Sequence, residues 1–327
     1  VCYYAIGVHV GRSKVTVALS DLDGHAVSLF SQGIPANSAF DAVLSLIHQG
    51  IRHVMAKGGV RAEFILGIGV GLPGPLNQTD DGLVSPPSFF GQANIPLRQL
   101  LEEQHRLPVY IDNSSNAATL AEKWFGKGIG LQHFLYVLAE NGIGSGLVAN
   151  GHLYRGSYGE AGIIGHFTIS VGGERCTCGN FGCLETFVSI SKIVEQGIYK
   201  LKHEYANERG WFPDPIEQLA FDDIAAAQHR GSKLAEHLFR DAGHYLGIGI
   251  ANAINLLNPE IVILGGKLGR SSGHLTDAVK AALSTQVLDH RGKKTPVIVS
   301  EIAQPVVLGA AALAIDKAFS LYSELPV

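Results

Sequence analysis

Residues 165–185, GHFTISVGGERCTCGNFGCLE, hold three of the four cysteines in the chain: Cys176, Cys178 and Cys183. His166 stands ten residues ahead of the first of them. If these side chains share one ion, the segment must double back on itself and cannot be a plain helix or strand. The spacing His-x9-Cys-x-Cys-x4-Cys offers one imidazole and three thiolates, the closed tetrahedral set of a structural zinc site. Gly172, Gly173, Gly179 and Gly182 leave the backbone free to bend around an ion. Two other readings stand beside this one: small buried thiols with His166 as a core histidine, or a redox pair. The redox pair lacks a thioredoxin-type helix start. A fully coordinated ion has no open position for an activated water, so a metal here is expected to hold structure and not to catalyse.

The rest of the chain must build the frame for this loop. With 327 residues, 46% hydrophobic and 17% charged, it is long enough for two cores and too apolar for disorder. The net charge is −4 and no lysine or arginine run is present, so a face that holds nucleic acid by charge alone is excluded. No apolar stretch approaches the roughly 20 residues of a membrane helix, and no secretory signal pattern opens the chain. Clustered cysteines fit a reducing, cytoplasmic setting. The first residue is Val1 and not Met, which leads us to expect further chain upstream.

Periodicity divides the chain into two α/β halves. YYAIGVHV and KVTVALSDLDG read as strands around a turn, with a third strand at VSLFSQG. Phe40, Val43, Leu44, Ile47, Ile51 and Val54 fall at helical spacing. A buried strand, FILGIGVGLPGPL, precedes a short helix (IPLRQLLEEQH), a strand (LPVYID) and a helix whose leading serines can cap it (SSNAATLAEKWFG). The second half starts after Gly126 with paired strands at HFLYVLA and GSGLVANGHL, then the cysteine loop. One helix is expected over ETFVSISKIVEQGIYKL, a short one at DDIAAAQHRG, and a long one from Ser232 to Leu257. The strand EIVILGG, a helix, the strand PVIVSE and an Ala-rich helix close the chain. The long Gly- and Ala-rich helix could serve a subunit contact or pack within its own lobe.

At GEAGIIGH (159–166) and CTCGNFGCLE the chain resembles the ROK family, named for repressors, open reading frames and sugar kinases. LPGPL, DNSSNAATLAEKWFG, NLLNPEIVILGG and VLGAAALA stand in the family's order, so the resemblance runs nearly full length. It implies a two-lobed actin-like α/β fold of the ribonuclease H-like, hexokinase type, with an interlobe cleft and a structural zinc loop at 166–183. The expected lobes are 1–112 plus 306–327, and 113–305. The family's usual oligomers imply a homodimer or homotetramer.

The resemblance also says where kinase chemistry would sit. The kinases' phosphate turn reads Asp-x-Gly-Gly-Thr-Lys, and here His9 replaces the carboxylate and Arg12 the second glycine. A side chain at Arg12 takes room that glycine leaves for phosphate, although an arginine can itself bind one. In the second turn, Glu140-Asn141-Gly142-Ile143-Gly144-Ser145-Gly146, Glu140 brings a negative charge near the phosphates. The kinases' Asn-Asp pair, whose Asp takes the sugar proton, corresponds to Asn113 and Ser114. A serine cannot act as that base, and it can instead cap the following helix. Asp112, one residue earlier on a strand, should face the other way. The family's Glu-x-Gly-His sugar clamp has Ile163 in place of Glu. Asn113, His166 and Glu185 remain as sugar contacts, and His166, Cys176, Cys178 and Cys183 as zinc ligands.

Four altered kinase positions, His9, Arg12, Ser114 and Ile163, lead to one expectation. The chain is the effector-sensing and oligomerising part of a ROK-type regulator, with a sugar effector and structural zinc. ATP and Mg²⁺ are not expected, and DNA is reached only through a helix-turn-helix upstream. The alternatives are an ATP-dependent hexose or N-acetylhexosamine kinase using Asp112 or Glu185 as base, and a ligand-free interaction scaffold.

Overall fold

The structure is a computed structural model and describes residues 2–76, 83–85, 92–288 and 292–323. The strands are β1 (Tyr4–Val10), β2 (Lys14–Asp21), β3 (Ala26–Gly33), β4 (Ile65–Leu72), β5 (Val109–Asn113), β6 (Phe134–Ala139), β7 (Ile143–Ala149), β8 (His152–Tyr154), β9 (Ile261–Gly265) and β10 (Val297–Val299). The helices are α1 (Phe40–Gly58), α2 (Leu97–His105), α3 (Ser114–Phe125), α4 (Glu185–Val188), α5 (Ile190–His203), α6 (Phe221–His229), α7 (Lys233–Leu257), α8 (Gly266–Gly269), α9 (Gly273–Gln286) and α10 (Pro305–Ser323). Two compact units result. One is Val1–Gln132 with Gly146–Gly162 and Glu301–Val327, and the other is His133–Ser145 with Ile163–Ser300. This division differs from the expected lobes in counting 113–132, 146–162 and 301–305 with the first unit.

In the first unit the sheet order is β3-β2-β1-β4-β5. β1, β2 and β3 form an antiparallel meander, while β4 and β5 run parallel to β1. α1 buries Phe40, Val43, Ile47, Ile51 and Val54, the periodic stripe that marks it as an amphipathic helix. The other face takes α10. Gly7 and Gly69 are paired across β1 and β4. A Cβ at Gly7 would stand 1.9 Å from the Val307 carbonyl oxygen, and one at Gly69 1.7 Å from that of Ala310. Two register-matched glycines thus let the Ala-rich helix lie directly on the sheet.

The second sheet has the order β10-β9-β6-β7-β8, with β10, β9 and β6 parallel and β7–β8 an antiparallel hairpin. Both sheets are therefore mixed. In the second unit the glycine face of α7 is used internally. A Cβ at Gly243 would meet the Leu275 carbonyl oxygen of α9 at 2.4 Å, and one at Gly247 the Ala282 Cβ at 2.6 Å. The single helix expected over 185–201 is interrupted. Ser189 is extended (φ −63°, ψ 151°), ends α4, and caps α5 by accepting from the Lys192 N–H.

Among the described residues no helix is long and apolar enough to cross a membrane.

Candidate functional site

The cysteine loop doubles back as its spacing requires. Residues 167–169 lie antiparallel to 182–184, through Ile169 N to Gly182 O (2.9 Å) and Leu184 N to Phe167 O (2.9 Å). Further out, Cys176 N donates to Asn180 O (2.7 Å) and Gly179 N to Cys176 O (3.0 Å), closing a tight turn. Gly182 has φ +66°, and a Cβ there would stand 1.8 Å from the Ser170 carbonyl oxygen. Glycine is therefore required where the two arms meet.

This folding brings His166, Cys176, Cys178 and Cys183 together, with all four donor atoms within 4.8 Å of one another. Cys176 Sγ is 3.6 Å from His166 Nδ1, and Cys178 Sγ is 3.7 Å from Cys183 Sγ. Disulfides need about 2.05 Å, and the three cysteines are free thiols. A tetrahedron with metal–sulfur bonds of about 2.3 Å has edges of about 3.8 Å, so the set fits a tetrahedral cation. Burial pushes the Cys183 thiol up to about 12, and the Asn180 backbone hydrogen bond draws Cys178 down. Binding a cation to such a set displaces the thiol protons. With Nδ1 facing the sulfurs, His166 keeps Nε2 for another partner.

Two candidate sugar contacts share the second unit with this loop. Glu185 opens α4 two residues after Cys183, and its Oε2 accepts from the Ile143 N–H at 3.0 Å. On the other side of the same residue, a Cβ at Gly165 would stand 2.0 Å from the Ile143 carbonyl oxygen. The Ile143 turn is thus held between Glu185 and the short 3-10 turn Ile164–His166. Ile163 precedes that turn and caps it through its carbonyl, which accepts from His166 N at 3.3 Å.

In the first unit the β5–α3 corner carries Asn113 and Ser114. Asn113, and not a serine, is the N-cap of α3: its Oδ1 accepts from Asn116 N at 2.8 Å. The extended backbone of Asn113 suits a cap, while Ser114 already lies in the helix. Asp112 is buried, and both of its oxygens accept hydrogen bonds. Its Oδ1 accepts from Asn113 N (2.8 Å) and Asn116 Nδ2 (2.7 Å), and its Oδ2 from Arg155 Nε (2.8 Å). Sequence reasoning missed this network, because nothing in the sequence joins Arg155 to Asp112 across 43 residues.

At the β1–β2 turn, His9 is half-buried, paired with Thr16 and Gly71 on its two neighbouring strands. Burial, helped by the Lys14 charge, pushes its pKa down to about 4. Arg12 is exposed beside the turn closed by Gly11 N to Lys14 O (2.9 Å).

The family model for ROK matches residues 5–317. The xylose repressor of Caldicellulosiruptor bescii is 29% identical over 323 residues, covering 96% of this chain and 79% of the relative. The DNA-binding transcriptional dual regulator NagC of Escherichia coli is 30% identical over 314 residues, 95% of this chain and 75% of NagC. This chain spans between 65% and 79% of the length of such relatives. Among solved structures, a ROK family transcriptional regulator, a homologue of the E. coli MLC protein, superposes with TM-score 0.84 at 27% identity, covering 97% of this chain and 78% of that one. A ROK family glucokinase from Streptomyces griseus gives TM-score 0.85 at 23% identity over 96% and 99% of the two chains, a likeness of fold alone. The two mixed sheets with their helices are the actin-like α/β fold of these structures, and the chain belongs to the ROK family.

Proposed function

We propose that this chain is the effector-sensing and oligomerising domain of a ROK-type transcriptional regulator that has lost kinase chemistry. A sugar or sugar derivative is the effector, and Asn113, His166 and Glu185 are its contacts. Zinc is the ion of His166, Cys176, Cys178 and Cys183. When bound, it supplies a fixed anchor for His166 and for the Cys183–Glu185 turn.

The observation that carries this reading is Asp112. It is the carboxylate beside the position where the kinases keep their base, and all its bonds go to Asn113 N, Asn116 and Arg155. A carboxylate held by these bonds is not free to turn towards a sugar hydroxyl as a general base must. Ser114, at the base position itself, is a far weaker one. His9, where the metal-holding carboxylate would stand, is neutral at pH 7 because burial depresses its pKa to about 4. A neutral imidazole is a poor ligand for Mg²⁺, which takes oxygen donors.

The relatives named for xylose and for regulation of DNA support a sugar effector and a genetic output. DNA contact is assigned to an upstream helix-turn-helix, the assembly to a homodimer or homotetramer, and the setting to the cytoplasm. Effector binding acts by preferring one arrangement of the regulator over another.

Coupled ADP release across hexoses, N-acetylhexosamines and pentoses tests the reading. Turnover near 1 s⁻¹, within the ordinary enzyme range, would establish the kinase that the glucokinase-like fold also accommodates. Thermal stabilisation by a sugar without turnover is the expected result, and no response to any sugar would leave a scaffold.

A further inference from the structure

We propose that Arg155 is a positioning residue for Asn113. Acting through Asp112, it fixes the β5–α3 corner so that Asn113 offers an amide donor, and not its carbonyl, to a ligand oxygen. The ligand side of this inference rests on the sugar reading above.

The argument starts from the side-chain amide of Asn113. Its Oδ1 accepts from the Asn116 backbone N–H at 2.8 Å. The reverse orientation would set an NH₂ against an N–H, two donors face to face, so the cap fixes which way the amide points. Nδ2 is then the group left to present. The loop after β4 passes close by: a Cβ on Gly74 would stand 2.9 Å from Asn113 Cβ, so glycine there leaves the Asn113 side chain its room.

This orientation depends on Asn116 and on the Asn113 peptide staying where they are. Asp112 Oδ1 holds both, one through Asn116 Nδ2 (2.7 Å) and the other through Asn113 N (2.8 Å). Asp112 itself is 6% exposed and Asn116 is fully buried. A carboxylate buried away from water is aimed by the partners that replace water, above all by a counter-charge. Arg155 supplies it at 2.8 Å, reaching in from the residue after β8. Its backbone carbonyl meanwhile accepts from Ala161 N at 3.0 Å, which holds the 155–161 loop closed. The arrangement leaves Arg155 Nη2 buried with no hydrogen-bond partner among the described residues. Such an atom is a cost to stability.

The experiment pairs two readouts on the full chain. Backbone amide exchange by NMR follows the Asn113 and Asn116 N–H groups, with no sugar present. Titration calorimetry follows binding of D-xylose and of N-acetylglucosamine as probes. Arg155→Ala should speed exchange at both amides and weaken the bound probe, each by about 10-fold, as for loss of a charge-assisted hydrogen bond. Arg155→Lys should recover most of both. Asn113→Asp keeps an oxygen to cap α3 but removes the donor, so it should stay folded and lose the probe. If Arg155→Ala does not fold, the isosteric Asp112→Asn is read in the same two assays. Unchanged exchange at Asn113 and Asn116 overturns the positioning role, as does unchanged probe affinity in Arg155→Ala. Wild-type affinity in Asn113→Asp overturns the donor assignment. If neither sugar binds the wild type, the sugar reading loses its support while the exchange data still decide the role of Arg155.

Discussion

The β5–α3 corner and the cysteine loop are both dense polar clusters, and they are satisfied in opposite ways. At the corner, Asp112 finds every partner within the chain: a guanidinium, a side-chain amide and a backbone N–H. In the loop, four donor atoms face one another within 4.8 Å. Three thiols and an imidazole drawn this close gain little from weak sulfur hydrogen bonds. They gain much from a cation. The corner is self-contained, whereas the loop gathers a donor set that could hold a metal ion.

The largest expected effect follows from that contrast. Cys178→Ala should release zinc and destabilise the protein by about 4 kcal/mol, in the range reserved for loss of a metal site. Metal content by mass spectrometry and thermal melting read the two together, and a chelator should reproduce the fall in Tm with the native sequence. Retention of full stability after chelation would erase the difference between the two clusters. Asp112→Ala is the matching insult to the corner. It strands Arg155 and Asn116, and should cost about 3 kcal/mol, a little below a fully buried pair because Arg155 is one-third exposed. That loss should be the same with or without chelator.

A smaller effect comes from acid, and it belongs to the first unit. Burial holds His9 and His105 down to about 4, and lowers His48 as well. His105 is lowered further by its neighbours His48 and Arg52. An unfolded chain takes up these protons near pH 6.5, and the native one resists until about 4. Between those values the unfolded state binds more protons, so stability falls as pH falls. The expected loss from His9 is about 1 kcal/mol between pH 7 and 5.5, and the more exposed His48 and His105 add less because solvent screens them. Thermal melts in chelator, which take the cysteine loop out of the comparison, should show it. His9→Gln should flatten the slope, and an unchanged slope would mean that His9 titrates as an ordinary histidine.

The two clusters also differed in how far the sequence revealed them. The loop's ligands lie within 18 residues, from His166 to Cys183, so local spacing carried the whole set. Its glycines were legible for the same reason. The corner depends on Arg155, and nothing local ties it to Asp112, so Asp112 could be read as a spare base. Elements followed the same rule. The stripe from Phe40 to Val54 marked α1, because a helix repeats its face every few residues. The break at Ser189 was hidden, since the apolar rhythm runs on through it while a side-chain cap stops the helix. The pairing of Gly7 with Gly69 beneath α10 is a fact of register, and register is invisible until strands are placed side by side.

The smallest effect tests whether the corner's self-sufficiency is what silences it. Ser114→Asp restores a carboxylate at the position where the family's kinases keep their base. Ser114 is the first residue of α3, behind a cap that Asn113 already provides. A negative charge in the first turn should therefore stabilise the helix by about 0.5 kcal/mol. It should not produce ADP release with any sugar, because His9 is uncharged at neutral pH and Arg12 occupies a glycine position in the phosphate turn. A small rise in Tm without turnover would place the block on the phosphate side as well as at the base. Measurable turnover from this single change would mean that the phosphate side is still competent and that the chain stands one residue away from a kinase.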